Sequence, residues 1–310
     1  MKYLIVGAGG TGGVLACKLA QGHKDVTVIA RGDHLKAIQD AGLKLHTKWD
    51  GKIVSAPVKA VTADHCGGPY DVIFVCFKWY SIGDALPILK KAADDKTVII
   101  PVLNIYGTGR KLQAKLPDLY IIDGCIYVAS RKEKAGQILQ FGKITRVVFG
   151  PRQGQEKRPV LDDIAGDLKA CGIEGCLSGA IERDALEKFC YVSPVGAAGL
   201  YFDATSADFG HPGEKRDFLV DMMREVVAVG KAMGVEMDGE AVINRNLKIL
   251  ASLDPKSTTS MQRDVMAGRR SEMDGLVAEM LRLAETYGVR VPAYQKAAEV
   301  FAERGWLSEK

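Results

Sequence analysis

Lys188 and Glu272 are ionisable side chains on helical faces that apolar periodicity turns inward, and chemistry is first legible there in this 310-residue chain. At about 100° per residue, Ile181, Ala185, Phe189 and Val192 form one apolar face, and Lys188 falls within roughly 20–40° of Ile181 and Val192. Glu182, Arg183 and Glu187 take other faces. A lysine so placed snorkels to water, finds a partner, or sits in a polar cleft with a lowered pKa. The last state suits a proton donor to the oxygen of a carbonyl that accepts hydride, a task for which no histidine is well placed. Further on, Val265, Met273, Leu276 and Met280 form a stripe on a helix expected over Ser260–Tyr287. Glu272 lies within about 20–40° of Val265 and Leu276. Such a carboxylate is a rim residue or an ion-pair partner, or it positions Lys188 or binds a cofactor amide.

Hydride chemistry needs a carrier, and the chain opens on a site for one. Lys2–Val6 reads as a short buried strand that runs into Gly7-Ala8-Gly9-Gly10-Thr11-Gly12, a Gly-x-Gly-x-x-Gly run. Val14–Ala20 reads as the following helix and Val26–Ile29 as the strand that closes the unit. In that setting Gly7 permits the tight turn, Gly9 lets a pyrophosphate approach the backbone, and Gly12 lets helix and strand pack closely. The first N–H groups of the helix then face the anion. The second strand ends in Ala30-Arg31, where NAD binders place a carboxylate for the ribose hydroxyls. An arginine there pairs with a 2′-phosphate, so NADPH is the expected cofactor. The alternative makes Arg31 a solvated loop residue and Asp33 the cap of the next helix.

Polar residues at the carboxyl ends of parallel strands face the cofactor crevice. Lys78 and Asn104 stand there, after the apolar runs that end in Phe77 and Leu103. Ser257-Thr258-Thr259-Ser260, at the start of the Ser260–Tyr287 helix, offers hydroxyls and free N–H groups to a carboxylate, or else serves only as an N-cap.

The elements that carry these residues divide into two. Leu43–Thr47 and Lys52–Ser55 flank Asp50-Gly51 as a hairpin. Asp71–Phe77 and Thr97–Leu103 read as parallel strands buried on both faces, with a helix around Tyr80–Lys91 between them. An apolar stretch follows at Leu119–Ala129. Gln137–Gln140 and Ile144–Phe149 read as an antiparallel pair at the sheet edge, and Pro159–Cys171 as a helix ended by Gly172. Beyond Ser178 only helical periodicity is found, including a clear amphipathic helix over Asp217–Met233. The expected architecture is an α/β doubly wound, Rossmann-like domain over residues 1–178 and an all-α domain over 179–310. A 47% hydrophobic and 26% charged composition is that of a soluble globular chain, and a net charge of +4 gives no argument for nucleic acid. Met1-Lys2 and the apolar residues after it belong to the first strand rather than to a secretory leader. No apolar run reaches membrane-spanning length, and no histidine has metal-ligand spacing. Seven scattered cysteines without a C-x-x-C pair suit a reducing cytoplasm.

Together these segments resemble the ketopantoate reductase family, the NADPH-dependent 2-dehydropantoate 2-reductases, over essentially the whole chain. The resemblance implies reduction of a small 2-oxo acid, with Gly7–Gly12 as the cofactor fingerprint, Arg31 at the 2′-phosphate and Lys78 on the cofactor side. It makes Asn104 the asparagine near nicotinamide and substrate. Ala185–Phe189 becomes the segment bearing the catalytic lysine, Lys188, as general acid. Ser260–Asp264 with Ser271–Asp274 matches the C-terminal signature, which sets Ser260 at the substrate and Glu272 near the cofactor; Gly288–Pro292 closes the pattern. It also implies a homodimer through the helical domain. The chain departs from the family at substrate positions: Val192, Gly196 and Ser257 stand where asparagines are expected, and Ile105 replaces a glycine after Asn104. Hydride-transfer residues are thus retained while the ketopantoate pocket is altered. Two alternatives are the same chemistry on a less polar or bulkier 2-oxo acid, and an NADP(H) sensor that turns nothing over.

Overall fold

β1 (Lys2–Val6) has no solvent-exposed face: Tyr3, Leu4, Ile5 and Val6 are all fully buried. Burial of both faces is what a strand inside a covered parallel sheet shows. The computed structural model describes residues 1–307. It places β1 between β2 (Asp25–Ile29) and a later strand in an all-parallel sheet.

The strands that follow are β3 (Leu43–Thr47), β4 (Ile53–Ala56), β5 (Lys59–Val61), β6 (Val72–Val75), β7 (Val98–Pro101) and β8 (Tyr120–Ile121). Next come β9 (Asp123–Lys134), β10 (Gln137–Gly150) and β11 (Glu174–Leu177). Among the described residues the first sheet has the order β5-β2-β1-β6-β7-β8. Strand order reverses between β1 and β6, and in doubly wound sheets ligands bind outside the carboxyl ends at that switch. The helices of this unit are α1 (Gly10–Gln21), α2 (Gly32–Ala41), α3 (Ile82–Ala92), α4 (Thr108–Lys115) and α5 (Val160–Ala170). The Rossmann-like fold expected from the sequence is therefore present.

A second sheet, β11-β10-β3-β4 with β9 also on β10, was not foreseen. The expected Leu43/Lys52 hairpin is there as β3 and β4. Gln137–Gln140 and Ile144–Phe149, however, are not an antiparallel pair; both lie in the one strand β10. Gly142 invites a turn, but Gln140 turns its side-chain amide inward, donating to the Gly142 carbonyl at 2.8 Å and to Thr145 Oγ1 at 3.1 Å. The chain bulges there instead of reversing, with a register shift against β9 between Gln140 and Thr145. The first half of β10 pairs with β3 and the second half with β11.

The helical unit comprises α6 (Ile181–Tyr201) from Arg183 onward, α7 (Glu214–Ala232), α8 (Gly239–Ala251), α9 (Ser260–Met266), α10 (Glu279–Thr286) and α11 (Pro292–Glu303). It also takes in Asn104–Tyr106, while the other unit holds Met1–Leu103 and Gly107–Glu182. The expected helical span of 179–310 includes Ser308–Lys310, which lie outside the described residues. Glu225 on α7 is buried because it accepts the Ala293 and Tyr294 N–H groups at 2.7 and 3.0 Å, capping α11.

Ser260–Tyr287 is not one helix. Gly268 adopts φ +63°, its N–H bonds the Val265 carbonyl at 2.9 Å, and the Arg269 N–H bonds the Asp264 carbonyl at 2.8 Å. That left-handed glycine closes α9, and the chain resumes only with a π-helical turn, Asp274–Ala278, ahead of α10. Two glycines let α9 dock on α6. A Cβ on Gly196 would lie 2.8 Å from Met261 Cε, and one on Gly199 would lie 2.5 Å from the buried Gln262 side chain.

Candidate active site

Lys188 is 7% exposed, and its ammonium donates to Asn104 Oδ1 at 2.9 Å. Pairing, one of the outcomes open to a lysine on a buried stripe, is thus realised. The stripe itself differs from the wheel: Leu186, Phe189, Cys190 and Ser193 are buried with Ile181, whereas Ala185 and Val192 are only half-buried. Asn104 does not follow its strand directly. β6 stops at Val75 and β7 at Pro101, register partners, so Lys78 and Asn104 each stand three residues further on. That extension lets Ile105 and Tyr106 join the helical unit as buried residues, with the Tyr106 ring 6.3 Å from that of Phe189. Phe189 neighbours Lys188, so the ring contact delivers Asn104 to the ammonium. A lysine only donates, which fixes the amide oxygen toward it. The Asn104 NH2 is left without a hydrogen bond to any described residue.

Glu272 is 5% exposed and lies just ahead of the π-helical turn, its carbonyl accepting the Leu276 N–H at 3.0 Å. Because α9 ends at Met266, the angle drawn from Val265 through a continuous helix does not apply; the burial of Glu272 stands without it. Ser193, fully buried and five residues after Lys188, donates to the Leu276 carbonyl at 2.7 Å and shares a 2.6 Å hydrogen bond with Tyr294 Oη. The segment carrying Glu272 is thereby tied to the helix carrying Lys188. Ser193 and Tyr294 were not singled out from sequence, since a serine in an apolar run gives no signal of a partner 83 residues away.

Thr259 is the N-cap of α9, with a full capping box: its hydroxyl accepts the Gln262 N–H at 3.2 Å and Gln262 Oε1 accepts the Thr259 N–H at 2.9 Å. Ser257 and Ser260 flank it and line a cavity of about 190 Å³ together with Val192. Gly196 contributes no side chain there and is spent on the Met261 contact.

The dinucleotide fingerprint divides its glycines by task. Gly7 has φ +109°, the tight turn. A Cβ on Gly12 would sit 2.0 Å from the Gly7 carbonyl oxygen, so helix and loop pack backbone to backbone. A Cβ on Gly10 would meet the Arg131 backbone at 2.9 Å, a packing role the motif does not announce. Gly9 alone faces open space, with nothing within 4 Å, and is exposed. Ala8 and Thr11 complete the loop, and the first turn of α1 holds no acidic residue that would compete with a phosphate. These residues fit a pyrophosphate. Arg31 is exposed at the end of β2 with no partner among the described residues. Asp33 lies inside the first turn of α2 and does not cap it; the N-cap position is Arg31. Lys78 is half-buried at the start of a short 3-10 turn, Trp79–Ser81.

His34 holds the loop from below. Its Nδ1 accepts the Gly136 N–H at 2.9 Å, which leaves the proton on Nε2 to donate to the Ala8 carbonyl at 2.7 Å. The Gly136 bond needs the neutral ring, since a protonated Nδ1 could not accept it. Burial pushes the His34 pKa down, and Lys132 adds to this, against the opposing pull of the Ala8 carbonyl.

Fold and site together define a dinucleotide-binding protein with a Rossmann-like unit and a helical unit. The chain belongs to the ketopantoate reductase PanE/ApbA family: the family's N-terminal model matches residues 3–154 and its C-terminal model residues 180–304. It is 28% identical over 309 residues to a 2-dehydropantoate 2-reductase of Mesorhizobium japonicum, covering 91% of each chain. It is 26% identical over 297 residues to an uncharacterised oxidoreductase, YkpB, of Bacillus subtilis, covering 95% of this chain and 96% of that one. Its fold is similar to that of D-mandelate dehydrogenase solved with NADH and anilino(oxo)acetate, with a TM-score of 0.89 at 22% identity, covering 98% and 97% of the two chains. A ketopantoate reductase of Ralstonia eutropha superposes with a TM-score of 0.84 at 23% identity, with 97% of each chain covered.

The glycines should separate by experiment. Gly12→Ala is expected to lower the free energy of urea unfolding by about 3 kcal/mol through overpacking. Gly9→Ala, at the N-cap of α1, should cost no more than about 1 kcal/mol while weakening dinucleotide binding; the reverse order would refute the assignment. For His34 the folded pKa lies below the unfolded value, so its contribution to stability is complete above about pH 6.5 and is lost as pH falls through the folded pKa. The stability gap between wild type and His34→Leu should therefore shrink from pH 7.5 to pH 5. A gap independent of pH would remove the histidine from this role.

Proposed function

We propose that the protein is an NADPH-dependent reductase of 2-oxo acids, of the 2-dehydropantoate 2-reductase type. The observation that carries this reading is the buried Lys188 ammonium on Asn104 Oδ1 at 2.9 Å. Bound NADPH would supply the hydride to the keto carbon. Lys188 gives a proton to the keto oxygen as negative charge develops on it, so the products are a 2-hydroxy acid and the oxidised cofactor. Asn104 keeps its NH2 for the same oxygen and holds the lysine with its own, a pre-set donor pair that needs no reorganisation. Ser260, with Ser257 beside it, offers a hydroxyl to the substrate carboxylate. Glu272 holds the cofactor side of the site or tunes the lysine. Arg31 and Lys78 are the cationic residues for NADPH, and the exposed, unpartnered guanidinium of Arg31 supports the 2′-phosphate assignment. 2-Dehydropantoate is the substrate named for relatives at 26–28% identity, such as those of Mesorhizobium and Nostoc.

The test follows nicotinamide absorbance with NADPH and NADH against 2-oxo acids that include ketopantoate, for wild type and Arg31→Ala, with cofactor affinity measured alongside by fluorescence. Wild type should oxidise NADPH with at least one acid. The variant should lose roughly 10- to 100-fold in NADPH affinity and little in NADH affinity. Tight NADPH binding without turnover of any acid would overturn the reductase in favour of a sensor, and equal losses for both cofactors would overturn the phosphate role.

A further inference from the structure

The cavity of about 190 Å³ in the helical unit has a chemistry the reductase reading leaves unassigned. Tyr191, Val192 and Val195 line it, and they stand three, four and seven residues after Lys188 on α6. Side chains at those spacings share a helical face, so the cavity continues from the lysine along that face, about 6 Å per i+4 step. Its floor is Val192, Val195, Phe209, Leu250 and Leu253, and no charged side chain lines it among the described residues.

Half of the polar side chains on its wall are committed. Ser206 donates to the Asp254 carbonyl at 2.6 Å, and Thr205 and Asp208 hold each other in a capping box. Gln262 spends its amide on the Thr259 N–H and, at 2.8 Å, on the Ala204 carbonyl. The hydroxyls of Ser257, Thr258 and Ser260 make no hydrogen bond to a described residue and stand on one short segment; the Tyr191 phenol, at the α6 wall, likewise makes none. A ligand with one anionic end and an uncharged, apolar body matches this division. Apolar cavities of roughly 150 Å³ hold a benzene ring, so this volume takes a branched aliphatic or aromatic group.

We propose that this cavity is the side-chain subsite of the substrate and selects 2-oxo acids with a branched aliphatic or aromatic side chain over hydroxylated ones, with Val192 as the specificity-determining residue. The proposal rests on the 2-oxo-acid reductase reading. The carboxylate takes the free hydroxyls of the 257–260 segment, the keto oxygen takes Lys188 and Asn104, and the side chain lies on Val192. A hydroxyl pressed against valine and leucine side chains loses its water without a replacement partner.

The test compares kcat/KM with NADPH for pyruvate, ketopantoate, 4-methyl-2-oxopentanoate and phenylpyruvate, in wild type, Val192→Asn and the near-isosteric Val192→Thr. Each buried methylene is worth about fourfold, so 4-methyl-2-oxopentanoate should exceed pyruvate by roughly 50-fold. It should also exceed ketopantoate by at least about 10-fold. Both variants should lower the ratio of 4-methyl-2-oxopentanoate to ketopantoate, the asparagine by more, and the threonine keeps the test open if the asparagine does not fold. Wild type that reduces ketopantoate as well as or better than the apolar acids, or a ratio indifferent to both substitutions, overturns the subsite and leaves the reductase standing. Turnover of none of the four acids alongside tight NADPH binding removes the reductase reading and the subsite with it.

Discussion

A charged amine taken out of water has to be held by a partner, and the Lys188–Asn104 hydrogen bond is the constraint on which the arrangement of the helical unit turns. An amide oxygen orients an ammonium without competing for its proton, as a carboxylate would. Asn104 reaches the lysine only because the chain runs on for three residues past β7 and then anchors Ile105 and Tyr106 among helices. Tyr106 against Phe189 fixes that anchor one residue from the lysine. Ser193 and Tyr294 hold the same helix to the π-helical turn, and so to the segment of Glu272. Substituting any of these buried contacts would reach the ammonium through packing rather than through charge.

The glycines supply the second constraint. In the fingerprint loop, and again on α6, glycine stands where a backbone or buried side chain passes within 3 Å of a would-be Cβ. Gly12 brings α1 onto the loop after β1, while Gly196 and Gly199 bring α9 onto α6. Helix propensity is given up at Gly196 and Gly199, by about 1 kcal/mol each, for close approach. Gly9 is the exception whose missing side chain leaves room for something other than protein.

Most of the fold was legible because its signals are local. Strand β1 into the glycine run into α1, the β3–β4 hairpin and the all-helical second half all follow from periodicity and turn residues read over short windows. The burial of Lys188 and Glu272 was legible too, from faces rather than from contacts. What was not legible depended on partners far along the chain. The strand β10 bulges at Gln140 instead of reversing because it pairs with β3 and β11, in a second sheet that joins segments as distant as Leu43 and Leu177. The break after α9 did carry a local signal, Gly268, which the apolar stripe from Val265 to Met280 masked. The fit of His34 under Ala8 is a tertiary fact, since nothing near residue 34 points to a carbonyl 26 positions away.

If Lys188 is the proton donor, chemistry and cofactor binding must come apart when it is removed. The most direct measurement is the single-turnover rate of hydride transfer in Lys188→Met, preloaded with NADPH and mixed with a saturating 2-oxo acid that wild type reduces. The account predicts a fall on the order of 10²- to 10⁴-fold with NADPH affinity retained. A rate within a few-fold of wild type would contradict it.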